Sequence, residues 1–338
     1  SSIVFLGPML SLMGRANIFL PGGCDLGPRP IDLHLSALSK LGAKFEKSDE
    51  LLYCSLNHIF KGSTIALRVP SVGATENIMI AACLASGETV ITNPAVLAKG
   101  ETIIENAARE PEIYDLCNFL NLCGAKIYSD NVGNIRIVGV DKLHGIEYSV
   151  MPDRIVAATF MSATAITGGN VVIKKVNDRH LKAVIEVFER MGCKVLTSKN
   201  EIRIISKKHL SSVDFIKTVP YPGFPTDAQP ILMAPFAISQ GTTVFCESIF
   251  KDRYKHVDEF LKMGANIKVN GKIAVVKGVK EIIGTDVMAR DLRGAAALLV
   301  LSLIAKGETV LDGLKHLDRG YENIVEELNG LGANIKRM

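Results

Sequence analysis

A repeated pattern of helix, glycine and strand is the feature of this sequence that most constrains its fold. A helix-sized segment that ends in Gly and continues into a short alternating segment occurs five times, at Gly42, Gly124, Gly192, Gly264 and Gly332. The successive spacings are 82, 68, 72 and 68 residues. Such long periods are typical of modules that cannot bury their apolar faces alone and therefore stack on one another. The sequence predicts an α/β fold made of repeated modules.

Each module carries the signals of an amphipathic helix and of short strands. In the third copy, apolar residues recur at helical spacing from Leu181 to Met191, and Gly192 stands where a left-handed residue ends a helix. Segments after the glycines alternate like half-buried strands, and further strand-like segments occur at 239–248 and 306–313. A turn at 151–154 predicts a domain boundary near 150, with domains at 1–150 and 151–338.

The first repeat is longer than the others because it contains a tandem duplication. Segment 84–93 (LASGETVITN) recurs 13 positions later as 97–106 (LAKGETIIEN). Long surface insertions cost little loop-closure entropy, whereas a shifted strand would disturb a sheet. We therefore expect the extra residues to form a loop.

Composition and charge argue against several classes of protein. The 338 residues are 48% hydrophobic, and the net charge of +4 arises without Lys- or Arg-rich runs, which disfavours a nucleic-acid partner. The longest apolar run, 294–305, is too short to cross a bilayer and predicts a buried helix. The seven cysteines are an odd number and form no Cys-x-x-Cys pair, which favours a reducing cytoplasm and no metal site.

The sequence begins inside a module. It opens on an apolar helical stretch at 3–13, with neither an initiator Met nor a signal-peptide pattern. We expect an N-terminal portion of the first module to be absent from this chain.

A segment rich in Gly and Pro, 20–34 (LPGGCDLGPRPIDLH), places a thiol and a guanidinium on one loop that leads into a helix. Arg29 can bind a phosphate or carboxylate through two parallel hydrogen bonds, and nearby positive charge lowers the pKa of a thiol. In that arrangement Cys24 can act as an acid beside a bound anion. The pattern also fits an ordinary turn with an inert cysteine, because short glycine-rich motifs are weak evidence.

Further polar residues stand in turns marked by Gly or Pro. These turns are 70–75 (PSVGAT), 222–227 (PGFPTD), 250–256 (FKDRYKH), 291–294 (DLRG) and 317–321 (LDRGY). Taken singly, their arginines are more typical of solvated side chains than of ligand-binding ones. Together with the Cys24 loop they form a series of motifs along the whole chain.

In this order, the motifs resemble those of the UDP-N-acetylglucosamine 1-carboxyvinyltransferases, the enolpyruvyl transferases that open peptidoglycan precursor synthesis. The match includes 105–113 (ENAAREPEI) and 151–155 (MPDRI). The resemblance implies an inside-out α/β barrel with two domains of three modules each, in a cytoplasmic monomer needed for cell-wall formation, cell shape and division. It implies two small-molecule substrates, UDP-N-acetylglucosamine and phosphoenolpyruvate, and no cofactor, metal, nucleic-acid or membrane partner.

The resemblance also assigns roles to residues. It implies three catalytic residues: Cys24, which handles the proton at C3 of phosphoenolpyruvate and is alkylated by fosfomycin; Asp227, which takes the proton of the sugar 3-hydroxyl; and Arg319. The implied substrate-binding residues are Arg29, Pro30, Ile31, Asp32, Leu33, Ser71, Val72, Gly73, Ile249, Arg253 and Arg293. Of these, Arg253 and Arg293 hold phosphoenolpyruvate together with Arg319, Arg29 faces the phosphate, and 29–33, 71–73 and 249 contact the nucleotide sugar.

Departures from the family pattern leave a second class of function open. The family's N-terminal Lys-Asn pair, and an Arg that would precede Ser1, have no counterpart here, and the duplication lies directly upstream of 105–112. An inactive or decayed fragment that retains only nucleotide-sugar binding is therefore the alternative to an active transferase. The related shikimate-pathway enolpyruvyl transferase shares the modules but should lack the Cys24 loop, so we rank it last.

Overall fold

The computed structural model describes residues 2–19, 31–48, 50–92, 107–130 and 133–338. These residues form two compact units. Unit 1 contains the described residues up to Met151, and unit 2 runs from Pro152 to Met338. Each unit has its own hydrophobic core.

Unit 1 combines four helices with two sheets. Its helices are α1 (Leu6–Met13), α2 (Asp32–Lys40), α3 (Val72–Cys83) and α4 (Pro111–Leu122). Its strands are β1 (Arg15–Phe19), β2 (Lys44–Ser48), β3 (Leu51–Ser55), β4 (Thr64–Ala66), β5 (Glu88–Thr92), β6 (Lys126–Ser129) and β7 (Ile135–Val138). One sheet has the antiparallel order β1-β3-β2. The other has the order β4-β5-β7-β6, in which only β4 and β5 are parallel.

Unit 2 repeats these arrangements. Its helices are α5 (Arg154–Thr167), α6 (Lys182–Arg190), α7 (Gln229–Phe236), α8 (Val257–Lys262), α9 (Leu292–Ser302) and α10 (Ile324–Gly330). Its strands are β8 (Gly169–Lys174), β9 (Lys194–Ser198), β10 (Glu201–Ser206), β11 (Phe215–Lys217), β12 (Thr242–Cys246), β13 (Asn266–Asn270), β14 (Ile273–Lys277), β15 (Asp286–Met288) and β16 (Val310–Asp312). The orders β8-β10-β9 and β11-β12-β14-β13 match the two sheets of unit 1, and β15 pairs with β16 in parallel.

Three buried helices, α5, α7 and α9, pack against one another at the centre of unit 2. All residues of α7 are buried, as are 294–301 of α9. The apolar run at 294–305 thus contains the buried helix that its composition predicts. Strands such as β9 and β13 expose most of their residues, so sheets surround helices in this unit. No helix in the described part of the chain is long and apolar enough to span a bilayer.

The repeated glycines end their helices in the left-handed region, as predicted. Gly42, Gly124, Gly192, Gly264 and Gly332 have φ angles of 115°, 99°, 95°, 90° and 102°. A side chain would strain the backbone there, because the Cβ atom approaches the following carbonyl group. These glycines turn the chain from the outer helices into the next segment of each module.

The prediction of a strand after Gly332 is wrong. After the other four glycines, β2, β6, β9 and β13 each pair with the strand that follows them. Residues 333–338 form no strand, because no strand in the described part of the chain pairs with them. In the duplicated region, the first copy supplies β5, whereas the second copy and the predicted loop lie outside the described residues.

Candidate active site

In unit 1, the described candidate residues lie at the beginnings of two neighbouring helices. Ile31 is the residue before α2, and Asp32 and Leu33 form its first turn. Ser71 precedes α3 and its Oγ accepts a hydrogen bond from Ala74 N at 3.4 Å. Val72 and Gly73 follow, and a Cβ at Gly73 would lie 3.4 Å from His34 Cε1. The two helix starts therefore adjoin, and the N-terminal end of a helix favours an anionic ligand.

His34 and Asn77 fix this junction. The Asn77 side-chain nitrogen lies 3.1 Å from His34 Nδ1 and donates to Ile3 O at 2.9 Å, and its oxygen accepts from Gly7 N at 2.7 Å. Burial lowers the pKa of His34 to about 4 although Asp32 opposes this shift. The imidazole is therefore neutral at physiological pH.

In unit 2, Asp227 lies between two guanidinium groups. Arg253 Nη2 is 2.6 Å from Asp227 Oδ1, and Arg293 Nε is 3.2 Å from Oδ2. The Asp227 side chain is 41% exposed, whereas the side chains of Arg253 and Arg293 are 2% and 12% exposed. A ligand can thus reach the carboxylate while both cations stand behind it.

The loop before α7 holds Arg253 as well. The backbone oxygen of Thr226 accepts hydrogen bonds from Arg253 Nε at 3.2 Å and Nη2 at 2.9 Å. The Arg253 guanidinium also lies 5.4 Å from the centre of the Phe250 ring, a favourable cation–π arrangement. These contacts bring 222–227 and 250–256 together, as the grouping of their motifs suggested.

Arg293 is oriented from the start of α9. Asp291 precedes the helix, and its Oδ1 accepts from Arg293 N at 3.1 Å and Gly294 N at 3.0 Å. A Cβ at Gly294 would come within 2.8 Å of Asp291 Oδ2, so this turn requires glycine. At its other end, Arg293 Nη1 donates to the Tyr321 hydroxyl oxygen at 3.4 Å, and that oxygen lies 2.8 Å from Thr159 Oγ1.

The ion pairs set the protonation of this site. Burial raises the pKa of Asp227, but Arg253 and Arg293 outweigh burial and hold that pKa below its ordinary value. Burial lowers the pKa of Arg293, yet Asp227 reverses the effect and the net shift is upward. Burial raises the pKa of Tyr321 although Arg293 opposes it. Asp227 is therefore ionised, Arg293 is charged and Tyr321 is a neutral hydroxyl at pH 7.

This arrangement can bind an anion and move a proton. Two guanidinium groups match a phosphate or carboxylate, and an accessible carboxylate can accept a proton from a hydroxyl. Among the described residues, no group of three or more His, Cys, Asp or Glu side chains could hold a metal ion.

Comparison with known proteins identifies the family. The family model for EPSP synthase (3-phosphoshikimate 1-carboxyvinyltransferase) matches residues 1–97 and 94–328. UDP-N-acetylglucosamine 1-carboxyvinyltransferase 2 of Caldanaerobacter subterraneus subsp. tengcongensis is 46% identical over 338 residues, which cover all of this chain and 78% of the relative. The enzyme of Pseudoalteromonas atlantica is 46% identical over 339 residues, with the same coverage. The chain belongs to the UDP-N-acetylglucosamine 1-carboxyvinyltransferase family.

Solved structures confirm the fold expected for this carboxyvinyltransferase family. The enolpyruvyl transferase NikO from Streptomyces tendae superimposes with a TM-score of 0.86 at 23% identity, over all of this chain and 77% of that one. EPSP synthase from Acinetobacter baumannii gives a TM-score of 0.70 at 22% identity, over all of this chain and 78% of that one. The two stretches of the chain that match the family model overlap at residues 94–97, inside the tandem duplication.

The described contacts join some of the residues that the carboxyvinyltransferase motifs predict. Asp227, Arg253 and Arg293 form one cluster, and Ile249 lies exposed on the loop that leads to Arg253. Arg319 is exposed two positions before Tyr321. The remaining predicted residues, Cys24, Arg29 and Pro30, lie outside the described residues.

The sequence analysis missed several side chains that contact or adjoin the candidate residues of either unit. Thr159 and Tyr321 support Arg293, and Arg68 forms an exposed ion pair with Asp32 at 2.8 Å. Glu247 is buried beside the Asp227 loop. Its only sequence signal is a carboxylate placed directly after the apolar residues of β12, and a carboxylate at the end of a strand does not by itself indicate a functional residue.

Proposed function

We propose that this chain transfers the enolpyruvyl group of phosphoenolpyruvate to the 3-hydroxyl of UDP-N-acetylglucosamine and releases phosphate, the step that opens peptidoglycan precursor synthesis. The observation that carries this proposal is the 46% identity to enzymes of that name over the entire chain. The Asp227 cluster supports it, because the reaction needs a base beside cations that accept a phosphate. In this proposal, units 1 and 2 are the two domains of a cytoplasmic monomer.

The two units have different tasks in the proposed reaction. The adjoining helix starts at Ile31–Leu33 and Ser71–Gly73 bind the nucleotide sugar together with Arg29 and Pro30. Backbone N–H groups at helix starts suit the diphosphate oxygens. Arg293, Arg253 and Arg319 bind phosphoenolpyruvate, of which Arg293 presents more surface than Arg253.

The chemical step needs one base and one acid. The sugar 3-hydroxyl oxygen bonds to C2 of phosphoenolpyruvate while Asp227 takes the hydroxyl proton and Cys24 gives a proton to C3. The product is a tetrahedral ketal that still carries phosphate. Phosphate then leaves with the electron pair of its bond to C2, and C3 loses a proton to form the enol ether. Such general acid–base catalysis contributes about 10²- to 10⁴-fold.

Asp227 has to change partners before it can act as the base. While Arg253 and Arg293 pair with it, its pKa lies below the ordinary value and it accepts protons poorly. The phosphate of phosphoenolpyruvate competes for the same guanidinium groups. As Arg293 turns toward that phosphate, Asp227 loses a cationic partner and its basicity increases. Binding of phosphoenolpyruvate therefore activates the base.

Phosphate release from phosphoenolpyruvate tests the proposal. We expect release with UDP-N-acetylglucosamine as the acceptor and none with shikimate 3-phosphate, which is the substrate expected for the related synthase. Calorimetric binding of UDP-N-acetylglucosamine without any turnover would instead support the inactive fragment. Release with shikimate 3-phosphate alone would contradict the proposed acceptor.

A further inference from the structure

Glu247 is a buried carboxylate that the reaction described above does not use. It follows β12 directly, it is 1% exposed, and its backbone N donates to Lys272 O at 2.8 Å. Within the ranges that the structure describes, no Lys, Arg or His forms an ion pair with it. Burial of a carboxylate without a cation is unfavourable unless hydrogen bonds replace its hydration.

Three neutral donors from two loops provide those hydrogen bonds. Oε1 of Glu247 accepts from Ile249 N at 2.7 Å and from Phe250 N at 2.9 Å. Oε2 accepts from Thr226 Oγ1 at 2.9 Å. Both carboxylate oxygens are therefore occupied, one by the loop that carries Arg253 and the other by the loop that carries Asp227.

The contacts around Glu247 form a closed ring. Glu247 fixes the backbone of Phe250, and the Phe250 ring lies 5.4 Å from the Arg253 guanidinium. Arg253 bonds to the backbone oxygen of Thr226, whose hydroxyl returns to Glu247. Arg253 is itself a member of this ring, and Asp227 directly follows Thr226, which is another member. Both partners of the Asp227–Arg253 ion pair are therefore attached to the ring. Movement of Glu247 would shift the carboxylate and the guanidinium relative to each other.

We propose that Glu247 is a positioning residue that holds the Asp227 loop and the Arg253 loop in catalytic register. This inference rests on the proposed function, because it concerns the geometry of the same site. Glu247 itself neither touches the substrate nor exchanges a proton in the reaction. Its effect is large because misplacement of reacting groups by about 1 Å can cost roughly a hundredfold in rate.

Two substitutions separate hydrogen-bond geometry from charge. In Glu247→Gln, the amide oxygen can still accept from both backbone N–H groups and the amide nitrogen can donate to Thr226 Oγ1, so we expect kcat within about fivefold of the unaltered protein. Glu247→Leu has a similar volume but no acceptor, and we expect kcat to fall roughly a hundredfold. The Kd for UDP-N-acetylglucosamine, measured by calorimetry, should change less than kcat.

Two substitutions of Thr226 provide a second pair of variants, with a milder expected effect. Thr226→Val removes the hydroxyl but keeps the shape, whereas Thr226→Ser keeps the hydroxyl. We expect Thr226→Val to lower kcat and Thr226→Ser to preserve it. The double variant Thr226→Val with Glu247→Leu should be no slower than Glu247→Leu alone, because each change opens the same ring. This pair tests the ring even if Glu247→Leu does not fold.

A measurement independent of turnover uses the Arg253 Nε–H, which donates to Thr226 O. Its NMR signal should exchange slowly with water in the unaltered protein, in Glu247→Gln and in Thr226→Ser, and faster by at least tenfold in Thr226→Val. Slow exchange in every folded variant would overturn the positioning role. Equal loss of kcat in Glu247→Gln and Glu247→Leu would also overturn it and indicate that the charge itself matters. If the unaltered protein releases no phosphate, the proposed function fails, but this exchange experiment still decides the role of Glu247.

Discussion

The Asp227 carboxylate forms ion pairs with Arg253 and Arg293, and in the proposed reaction phosphoenolpyruvate binds the same two arginines. A phosphate that binds Arg293 must displace the Asp227 Oδ2 contact at 3.2 Å. Phosphate binding and the basicity of Asp227 are therefore thermodynamically linked, so that each affects the other by the same free energy.

Asp227→Asn should bind inorganic phosphate more tightly than the unaltered protein although it loses turnover. The amide no longer neutralises Arg293 and Arg253, and a charged hydrogen bond contributes about 1.5–3 kcal/mol, so partial release should raise phosphate affinity roughly fivefold to tenfold. Turnover should fall by about 10²-fold or more, because the amide cannot accept a proton. Calorimetry with phosphate and a phosphate-release assay give the two values.

Asp258→Asn is the matched control for this change, because it removes the same charge from an exposed position at the start of α8 in the same unit. It should leave both phosphate affinity and turnover nearly unchanged. Weaker phosphate binding by Asp227→Asn would mean that the carboxylate does not compete for the arginines.

Cys24 should be the cysteine that fosfomycin labels. Burial raises the pKa of Cys54 and Cys117 to about 11 and that of Cys83 to about 12, so these thiols supply almost no thiolate at neutral pH. Mass spectrometry of peptides after treatment, in the presence of UDP-N-acetylglucosamine, measures the distribution. Half-buried Cys246 is the internal comparison. Labelling spread over several cysteines would contradict a special reactivity of the Cys24 loop.

At the scale of the elements, helix ends determine how each module is built. Asn121 and Asn329 stand three positions before Gly124 and Gly332, and each side chain both donates to and accepts from one backbone residue, Ile127 or Ile335. The same contact therefore appears with and without a following strand. The left-handed glycine and this asparagine are local features that do not require the sheet.

Gly332→Ala should lower the free energy of unfolding by about 1–2 kcal/mol, because a residue with a Cβ is strained in left-handed backbone. Gly332 has a φ of 102°, and a Cβ there would meet no atom within 4 Å, so backbone strain is the only expected cost. Chemical denaturation of unit 2 measures the change.

Gly330→Ala is a matched control two positions earlier. Gly330 is the last residue of α10 and also has open space around a Cβ. Alanine is compatible with helical backbone and restricts the unfolded chain, so this variant should be more stable by about 0.4–1 kcal/mol. Equal destabilisation by both substitutions would mean that φ does not explain the position of the glycine.

At the scale of the whole molecule, each unit buries a histidine that carries no charge. Burial lowers the pKa of His34 in unit 1 to about 4, with Asp32 opposing the shift, and it lowers that of His256 in unit 2 to about 4, with Asp291 opposing. His256 is 3% exposed, and neither of its ring nitrogens has a hydrogen-bond partner in the described structure.

The stability of the protein should therefore fall as the pH decreases from about 6.5 to 4. In that window the unfolded chain takes up a proton at His256 that the folded chain does not, so lower pH favours unfolding. A shift from 6.5 to about 4 corresponds to roughly 2 kcal/mol lost between pH 7 and pH 5. Denaturant unfolding at several pH values measures the slope.

His256→Leu should flatten this dependence for unit 2, because the imidazole that takes up a proton on unfolding is removed. His34 contributes a similar acid sensitivity to unit 1 and remains in that variant. The comparison is therefore between the slopes of unfolding free energy against pH in the unaltered protein and in His256→Leu. An unchanged slope in His256→Leu would contradict a neutral buried imidazole.

The modules can be predicted from the amino-acid sequence, because their signals are local. Helical spacing from Leu181 to Met191 and a left-handed Gly192 depend on residues a few positions apart. The order of the family motifs also predicted a site with Asp227, Arg253 and Arg293, and the structure brings these three side chains together. The strand expected after Gly332 failed for the converse reason: a strand needs a partner, and local pattern does not supply one.

The arrangement of the site, by contrast, depends on packing between segments that are distant in the sequence. Asp227 and Arg293 are 66 positions apart, and Thr226 and Glu247 are 21 apart, so their contacts depend on how α7, α9 and β12 pack. The pairing of Asp227 with two arginines and the ring through Glu247 follow from that packing. A sequence does not distinguish a buried glutamate such as Glu247 from a solvated one. Its burial and its three hydrogen-bond donors are visible only in the structure.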